Sequence, residues 1–365
     1  FICEGIMKKI GIITIVDNNN YGNRLQNYAV HKVYGELGYS CETLQLNQRK
    51  ESKKYLFRAW KMFYKPIEKQ LKRDKLEKQR FEKFKNFTMK YVPTKEKFFW
   101  NNKIKEEYDY FSVGSDQIWN SYLDFGYLTE FLSFARPEQR LTFSPSFGTD
   151  NIKQSKIENF RKGLSGFNNI SVRESAGAKI VKELTGKNAS VLIDPTMMLD
   201  AKDWLQIAKK PKNIDFTKSY ILTYFLGGRT KKIEEDLNKY SKKENMNVYH
   251  LLDKEQEELF VADPSEFIYL VSKAKMIMTD SFHACVFSLL FNKAFLVYDR
   301  AGAAENMMSR IETLLEKFNL QRKYVNSGIE NDPFENDYKL SYKILENERR
   351  NVIDFLQKSL KKGKC

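Results

Sequence analysis

The chain of 365 residues is long enough for two ordinary domains, and its 42% hydrophobic and 14% aromatic content predicts folded cores rather than disorder. No run of residues approaches the roughly 18 consecutive apolar positions of a transmembrane helix, and the first residues lack the layout of a signal peptide. The formal net charge of +15 is unusual, yet no nucleic-acid-binding motif accompanies it.

Met7 is the expected natural start of the chain, and residues 1–6 are interpreted as an upstream extension.

From Met7 onward, segments typical of strands and helices alternate along the chain. Strands are predicted at 8–15, 41–46, 108–116, 140–148, 169–175 and 189–195. Helices are predicted between several of them, as at 22–39 and 175–186. This alternation is typical of a parallel α/β sheet.

A basic helical insertion at 49–91 interrupts the first alternation. Residues 49–90 hold 16 Lys or Arg against 5 Asp or Glu, which is +11 of the +15. Aromatic residues interleave with the basic ones, as in "YLFRAWKMFYK". The pattern indicates either a solvated helix that packs on its own domain or a surface that meets anionic lipid headgroups or a lipid-linked glycan.

The alternation starts afresh in the second half of the chain. Strands are predicted at 219–228, 246–252, 275–280 and 293–299, with helices between them and another at 309–318. A long amphipathic helix at 335–361 ends the pattern. We therefore predict an α/β protein with two doubly wound Rossmann-like domains, at 7–206 and 213–330, an interdomain cleft and a C-terminal helix.

Ligands of such sheets bind beyond the carboxyl ends of the strands, so polar residues at those positions are candidates. Asn23 follows the first strand, in a turn that either approaches a ligand or caps a helix. Asp116, in "VGSDQIWN", is a candidate general base or a helix cap. Arg173, in "SVRES", either serves a carboxylate or phosphate or forms a salt bridge with an acid such as Glu174 or Asp194.

The second half offers two further strand ends. Gly228 and Arg229, in "YFLGGRTKK", either cradle a phosphate or form a plain tight turn. Asp280, Ser281 and His283 open a strongly apolar helix in "TDSFHACVFSLLF". Asp280 is a candidate cap and Ser281 offers a hydroxyl. His283 is either a proton donor beside a bound anion or a structural histidine.

Several site classes are excluded by the motifs. No Walker loop, HExxH, GxSxG or paired CxxC is present, and the three histidines do not form a zinc spacing. The four cysteines suit neither a metal site nor a disulfide framework. We therefore predict reduced thiols, no metal and no cofactor.

The strand-end motifs, in their order, resemble the polysaccharide pyruvyl transferase family. The matching segments are "YGNRLQNYAV", "VGSDQIWN", "SFG", "VRES", "DPTMML…W", "DPSEFIYLVSKAKMIMTDSFHACVFSLLF" and "SRIETLLEKFNLQRK". They cover nearly all of the chain except the basic insertion and the tail. The resemblance implies a glycosyltransferase-B-like architecture. It also implies transfer of the enolpyruvyl unit of phosphoenolpyruvate onto two sugar hydroxyls, which forms a cyclic ketal and releases phosphate.

The resemblance also implies roles for individual residues. His283 matches the family's histidine and would be the general acid. Arg173 would bind the donor's carboxylate or phosphate, and Asp116 would orient or deprotonate the acceptor hydroxyl. Arg310 would bind an anion, and Asn306 would line the same rim.

One position departs from the family pattern. Several characterised members carry an arginine two residues before the histidine, where this chain has Ser281. Ser281 could still hydrogen-bond the donor, and Arg229, Arg300 or Arg310 could supply the charge.

The leading hypothesis is a cytoplasmic transferase, peripheral on the inner face of the membrane, that acts in capsule or exopolysaccharide biosynthesis. Its partners would be phosphoenolpyruvate and a glycan or lipid-linked oligosaccharide. The alternatives are a nucleotide-sugar-dependent glycosyltransferase of the same architecture and a non-catalytic glycan-binding relative.

Overall fold

The protein consists of two parallel sheets with helices packed around them. The computed structural model describes residues 7–47, 67–98, 104–123, 129–302, 308–330 and 332–361. Its strands are β1 (Lys9–Ile13), β2 (Ser40–Asn47), β3 (Thr94–Phe98), β4 (Tyr110–Val113), β5 (Arg140–Thr142), β6 (Ser171–Val172), β7 (Ser190–Val191), β8 (Tyr220–Tyr224), β9 (Asn247–Leu251), β10 (Met276–Thr279) and β11 (Ala294–Val297). Its α-helices are α1 (Tyr21–Glu36), α2 (Ile67–Tyr91), α3 (Ile104–Glu107), α4 (Ile157–Ser165), α5 (Ser175–Thr185), α6 (Ala201–Leu205), α7 (Lys231–Lys243), α8 (Glu257–Phe260), α9 (Pro264–Lys273), α10 (Phe282–Leu290), α11 (Ser309–Lys317) and α12 (Lys339–Lys361).

Each sheet has the strand order of a doubly wound fold. The first sheet runs β3-β2-β1-β4-β5 and the second β11-β10-β8-β9, with every neighbouring pair parallel. The strand order therefore reverses between β1 and β4 in the first sheet and between β8 and β10 in the second. The predicted fold class is confirmed. The domain limits at 7–206 and 213–330 stay a prediction.

Apolar strands and capped helices explain the second sheet. β8, β10 and β11 are buried along their whole length, as expected for parallel strands covered on both faces. α9 begins with Pro264 in its first turn and with a capping box between Asp263 and Glu266. One expectation needed revision, because the short strands β6 and β7 form a separate two-stranded sheet rather than extending the first.

The basic segment supplies a structural helix. α2 is the crossover between the parallel neighbours β2 and β3. Its buried face holds Leu76, Phe84 and Phe87, so at least this part packs on the protein itself. Residues 48–66, which include the "YLFRAWKMFYK" stretch, lie outside the described residues.

The predicted C-terminal helix is confirmed, and it contacts both halves of the molecule. In the first half, Tyr110 donates a hydrogen bond to the carbonyl of Leu360 at 2.7 Å. In the second half, Tyr342 donates to the carbonyl of Leu289 at 2.8 Å. Within the described ranges, no helix has both the length and the apolar character needed to cross a bilayer.

Candidate functional site

The loops after β1, β4 and β10 meet where the two sheets face each other. Asn23 donates from Nδ2 to Oδ2 of Asp116 at 2.9 Å, which joins the loops after β1 and β4. The ring of His283, which follows β10, lies directly on Gly22. A Cβ added to Gly22 would sit 1.9 Å from Nδ1 of His283. The two points of strand reversal therefore form a common site, as open α/β sheets predict.

An ion pair fixes the position of Arg173 behind this contact. The Arg173 side chain is 1% exposed, and its NH1 lies 3.1 Å from Oδ2 of Asp194. Its NH2 group donates to Oγ of Ser115 at 2.8 Å. Asp194 in turn accepts from the backbone N–H and the hydroxyl of Thr196, at 2.9 and 2.6 Å. The salt bridge to Asp194 that the sequence suggested is therefore present. It leaves other nitrogens of the Arg173 guanidinium available for further contacts.

We call Asp116, Arg173, Asp194, His283 and Arg310 the buried charge cluster. Oδ1 of Asp116 lies 4.0 Å from NH2 of Arg173, and Nε2 of His283 lies 3.7 Å from Oδ2 of Asp194. The second of these distances is within ion-pair reach and beyond hydrogen-bond length. The cluster thus draws on residues from both halves of the chain.

One aromatic ring brings the two arginines of the cluster together. The guanidinium groups of Arg173 and Arg310 lie over the ring of Phe282, at 5.0 and 5.9 Å from its centroid. Burial, followed by the charge of Arg173, lowers the pKa of Arg310 to about 10. Two buried cations of like sign therefore share a site, an arrangement that a bound anion would relieve.

Several nitrogens of the cluster are buried without a hydrogen-bond partner. They are Nε and NH1 of Arg173, Nε of Arg310 and Nε2 of His283. NH1 of Arg173 and Nε2 of His283 have only the ion-pair contacts to Asp194, whereas the two Nε groups have no partner. A buried donor left unpaired costs about 1–3 kcal/mol. A ligand with several acceptor oxygens would satisfy these donors together, so the site fits a carboxylate or a phosphate.

The carboxylates of the cluster are held ionised. Burial alone would raise the pKa of Asp116, but the charges of Arg173 and His283 and the hydrogen bond from Asn23 bring it below its ordinary value. The pKa of Asp194 is also lowered, since Arg173 and His283 outweigh the effect of burial. Both groups are therefore ionised at neutral pH and can accept hydrogen bonds.

Asp280 and Ser281 lie at the start of α10 with mainly backbone partners. Asp280 accepts from the N–H groups of Leu226 and Gly227, at 2.7 and 2.8 Å, and its Oδ2 lies 3.5 Å from Nε of Arg300. Asp280 therefore ties the turn after β8 to α10. Ser281 is the N-cap residue, but its side chain makes no capping hydrogen bond, which leaves that end of the helix open to an anion.

The remaining predicted residues do not join the cluster. Arg229 donates to Glu234 at 2.6 Å and to Asp253 at 3.3 Å, and its side chain is 27% exposed. Gly228 has a φ of +86°, and a Cβ added there would meet no atom within 4 Å, so it serves a tight turn. Asn306 lies outside the described residues.

Three residues in or beside the cluster received no catalytic or ligand-binding role from the sequence. Asp194 and Glu174 were considered only as salt-bridge partners of Arg173, although an aspartate between a strand and a proline, as in "LIDP", was a usable signal. Glu174 accepts from Phe147 N at 2.6 Å and from Gly148 N at 3.2 Å, and burial raises its pKa. With its amide oxygen turned toward Arg310, Gln117 accepts from NH1 at 3.0 Å.

Comparison with known proteins gives a family match and distant structural likenesses. A model of the polysaccharide pyruvyl transferase family matches residues 20–302. A search of the curated proteins finds no match. Among solved structures, UDP-GlcNAc 2-epimerase from Neisseria meningitidis, bound to UDP-GlcNAc, is 12% identical with a TM-score of 0.46, covering 96% of this chain and 100% of that chain. The glycosyltransferase SnogD from Streptomyces nogalater is 8% identical with a TM-score of 0.41, and the match covers 97% of this chain and 98% of that chain.

Proposed function

The chain belongs to the polysaccharide pyruvyl transferase family, and from this premise we propose that it moves pyruvate from phosphoenolpyruvate onto a pair of sugar hydroxyls. The acceptor is a surface polysaccharide or its lipid-linked precursor. The observation that carries the proposal is the set of buried, unpartnered nitrogens on Arg173, Arg310 and His283. Phosphoenolpyruvate offers a carboxylate and a phosphate, which are the acceptors that such nitrogens require.

Each of the donor's two anionic groups would have its own arginine. Arg173 and Arg310 lie over the same ring, and each has a buried Nε without a hydrogen-bond partner, which supports one anion contact for each arginine. The open end of α10 at Ser281 adds backbone N–H groups that favour negative charge. This supply of charge does not need an arginine at position 281.

The chemistry requires one base and one acid. Asp116 accepts the proton of one sugar hydroxyl while the oxygen of that hydroxyl forms a bond to the enol carbon. Asn23 holds the Asp116 carboxylate in place through its hydrogen bond. His283 delivers a proton to the methylene carbon, which becomes a methyl group. The second hydroxyl then displaces phosphate, which leaves with the electrons of the broken C–O bond and takes up the second hydroxyl proton. No cofactor takes part.

Turnover of phosphoenolpyruvate tests the proposal. Purified protein is incubated with phosphoenolpyruvate and lipid-linked glycans from its own source, and phosphate release and ketal formation are measured. We expect His283→Gln to lower the rate by about 10²–10⁴-fold, in a variant whose thermal unfolding shows that it is folded.

Three outcomes would contradict the proposal. The first is that the purified protein consumes no phosphoenolpyruvate with any of these glycans. Another is thermal stabilisation by UDP or CMP sugars with none by phosphoenolpyruvate, which would indicate a glycosyltransferase. Unchanged activity of His283→Ala in cells would indicate a glycan-binding protein.

We place the enzyme in the cytoplasm, with the outward face of α2 against the inner membrane surface that carries the acceptor. Lys78 and Lys85 are exposed on this face together with Phe81, at 39%, and Met89, at 66%. Lysines around exposed apolar side chains favour anionic lipid surfaces. Co-sedimentation with vesicles containing phosphatidylserine should weaken in Lys78→Glu/Lys85→Glu and not in Lys231→Glu. Equal binding by the unaltered protein and by both variants would contradict this placement.

A further inference from the structure

Arg80 differs from the other cations of α2 whose burial the structure describes because it is buried, with 3% of the residue exposed. Its guanidinium lies 4.6 Å from the ring centroid of Tyr21 and 4.5 Å from that of Phe84. NH1 donates to the hydroxyl of Tyr21 at 2.9 Å and to the carbonyl of Phe260 at 2.6 Å. NH2 donates to the carbonyl of Asn19 at 2.9 Å.

These bonds join three separate segments of the chain. Asn19 and Tyr21 enclose the N-cap residue of α1, in the first half of the molecule, whereas Phe260 ends α8 in the second half. Tyr21 adds two links across the same junction. Its hydroxyl donates to the carbonyl of Ala262 at 3.0 Å, and its ring stacks on Phe267 at 4.5 Å with 15° between the planes.

The junction lies next to the site in sequence and in space. Tyr21 is followed by Gly22, the residue against which the ring of His283 packs without room for a methyl group. His283 belongs to the second half. The distance between Gly22 and the imidazole therefore depends on how the first turn of α1 packs against that half. Arg80 is a donor to both sides of the junction.

We propose that Arg80 is a positioning residue for His283, holding the first turn of α1 against the second half so that Gly22 backs the imidazole. The proposal rests on the proposed function only for the consequence in catalysis. The geometric claim concerns the His283 ring itself. It gives the basic helix α2 a role inside the site, separate from any contact made by its outward face.

The histidine ring signals in NMR spectra test the geometric claim without any substrate. The chain has only three histidines, His31, His250 and His283, so the ring resonances can be assigned with single His→Gln variants. We expect Arg80→Ala to shift the His283 ring resonances and leave those of His31 unchanged. Added guanidinium ion, at concentrations too low to denature the protein, should restore the shift by filling the aromatic pocket.

Lys83→Ala is the matched control. Lys83 is one helical turn from Arg80 on α2 and pairs with Glu266 of the second half at 3.1 Å, but it has no bond to the first turn of α1. We expect the His283 ring resonances of the Lys83→Ala variant to match those of the unaltered protein. If Arg80→Ala fails to fold, Tyr21→Phe removes only the shared hydroxyl and should give a smaller shift in the same resonances.

The enzyme assay separates this proposal from the proposed function. With phosphoenolpyruvate as donor, we expect Arg80→Ala to lower kcat by about 10–100-fold, the scale of a misplaced catalytic group, with KM nearly unchanged. Shifted resonances without turnover by the unaltered protein would keep the positioning role and reject the proposed function. Turnover with unshifted resonances and unchanged kcat in folded Arg80→Ala would overturn the positioning role.

Discussion

The segments after β6 and β8 each carry an arginine, yet the two arginines have opposite surroundings. Arg173, directly after β6, has a side chain that is 1% exposed, and its buried Nε has no hydrogen-bond partner. Arg229, five residues beyond the end of β8, is 27% exposed and donates to Glu234 and Asp253. Both arginines follow a parallel strand, but of the two only Arg173 has a buried donor in need of a ligand.

The difference shows what makes a strand-end cation a site residue. An exposed guanidinium exchanges protein partners for water at little cost, so its ion pairs stabilise the protein weakly. A buried guanidinium keeps the full desolvation cost of every donor that stays unpaired. Unmet donors at Arg173 therefore carry information about function, whereas the complete bonds of Arg229 point to a structural role.

Replacing Arg173 should give the largest effect on stability. Arg173→Met leaves Asp194 buried without its guanidinium partner, and breaking such a pair by removing one member typically costs about 3–5 kcal/mol. Urea unfolding at neutral pH measures the change. A loss below about 1 kcal/mol would mean that water reaches Asp194, and the contrast with Arg229 would then disappear.

Acid should weaken the buried charge cluster. Asp116 and Asp194 have pKa values below their ordinary 3.8 in the folded protein, so their stabilisation is fully present above that pH and is lost as pH falls toward the lowered pKa values. Each unit of lowering corresponds to about 1.4 kcal/mol. We expect the free energy of unfolding to begin to fall below about pH 5 and to keep falling below about pH 3.

The Asp194→Asn variant should show a flatter pH dependence over the same range. Glu174 acts in the opposite direction, because burial raises its pKa and its protonation favours the folded state. Comparing the slopes of the two proteins cancels that contribution. Equal slopes would assign the acid sensitivity to groups other than Asp194.

Gly22→Ala tests the contact between the two halves. The new methyl would lie 1.9 Å from Nδ1 of His283, and overpacking of this kind costs about 1–3 kcal/mol. At Gly35, in the same helix, an added Cβ would meet no atom within 4 Å, so Gly35→Ala should instead stabilise by up to about 1 kcal/mol. Thermal unfolding of both variants measures the difference. Similar shifts in both would show that His283 moves freely.

Arg229→Met should have the smallest effect. Its two ion pairs are partly exposed, and pairs of this kind contribute about 0.2–1 kcal/mol each. We also expect turnover of phosphoenolpyruvate to stay within about twofold of the unaltered protein, since Arg229 lies outside the buried charge cluster and its removal takes no contact from the donor. A large loss of activity with normal stability would assign Arg229 to the donor site after all.

Periodicity in the sequence was enough to predict the order of the elements and the fold class. β8 through β11 and the helices between them were expected within a few residues of where they lie, because each strand is a short apolar run bounded by polar turns. Strand β3 was not predicted. Its residues, Thr94–Phe98, are mostly charged or polar, as edge strands often are.

The composition of the site was harder to predict than its location. Asn23, Asp116, Arg173 and His283 were expected near the strand ends, and the structure brings these four together. Burial decided the rest, and burial depends on contacts between distant parts of the chain. Arg80 is the clearest example, since nothing in a lysine-rich helix distinguishes this buried cation from Lys78 and Lys85, which face solvent.

The close fit of Gly22 to His283 also constrains how this protein can change through evolution. A single substitution that adds a side chain at position 22 removes the space for the imidazole, and a smaller residue at position 283 removes the reason for a glycine. The two positions should therefore vary together among descendants of this chain. A lineage that has lost the histidine should be the first in which position 22 accepts alanine or serine.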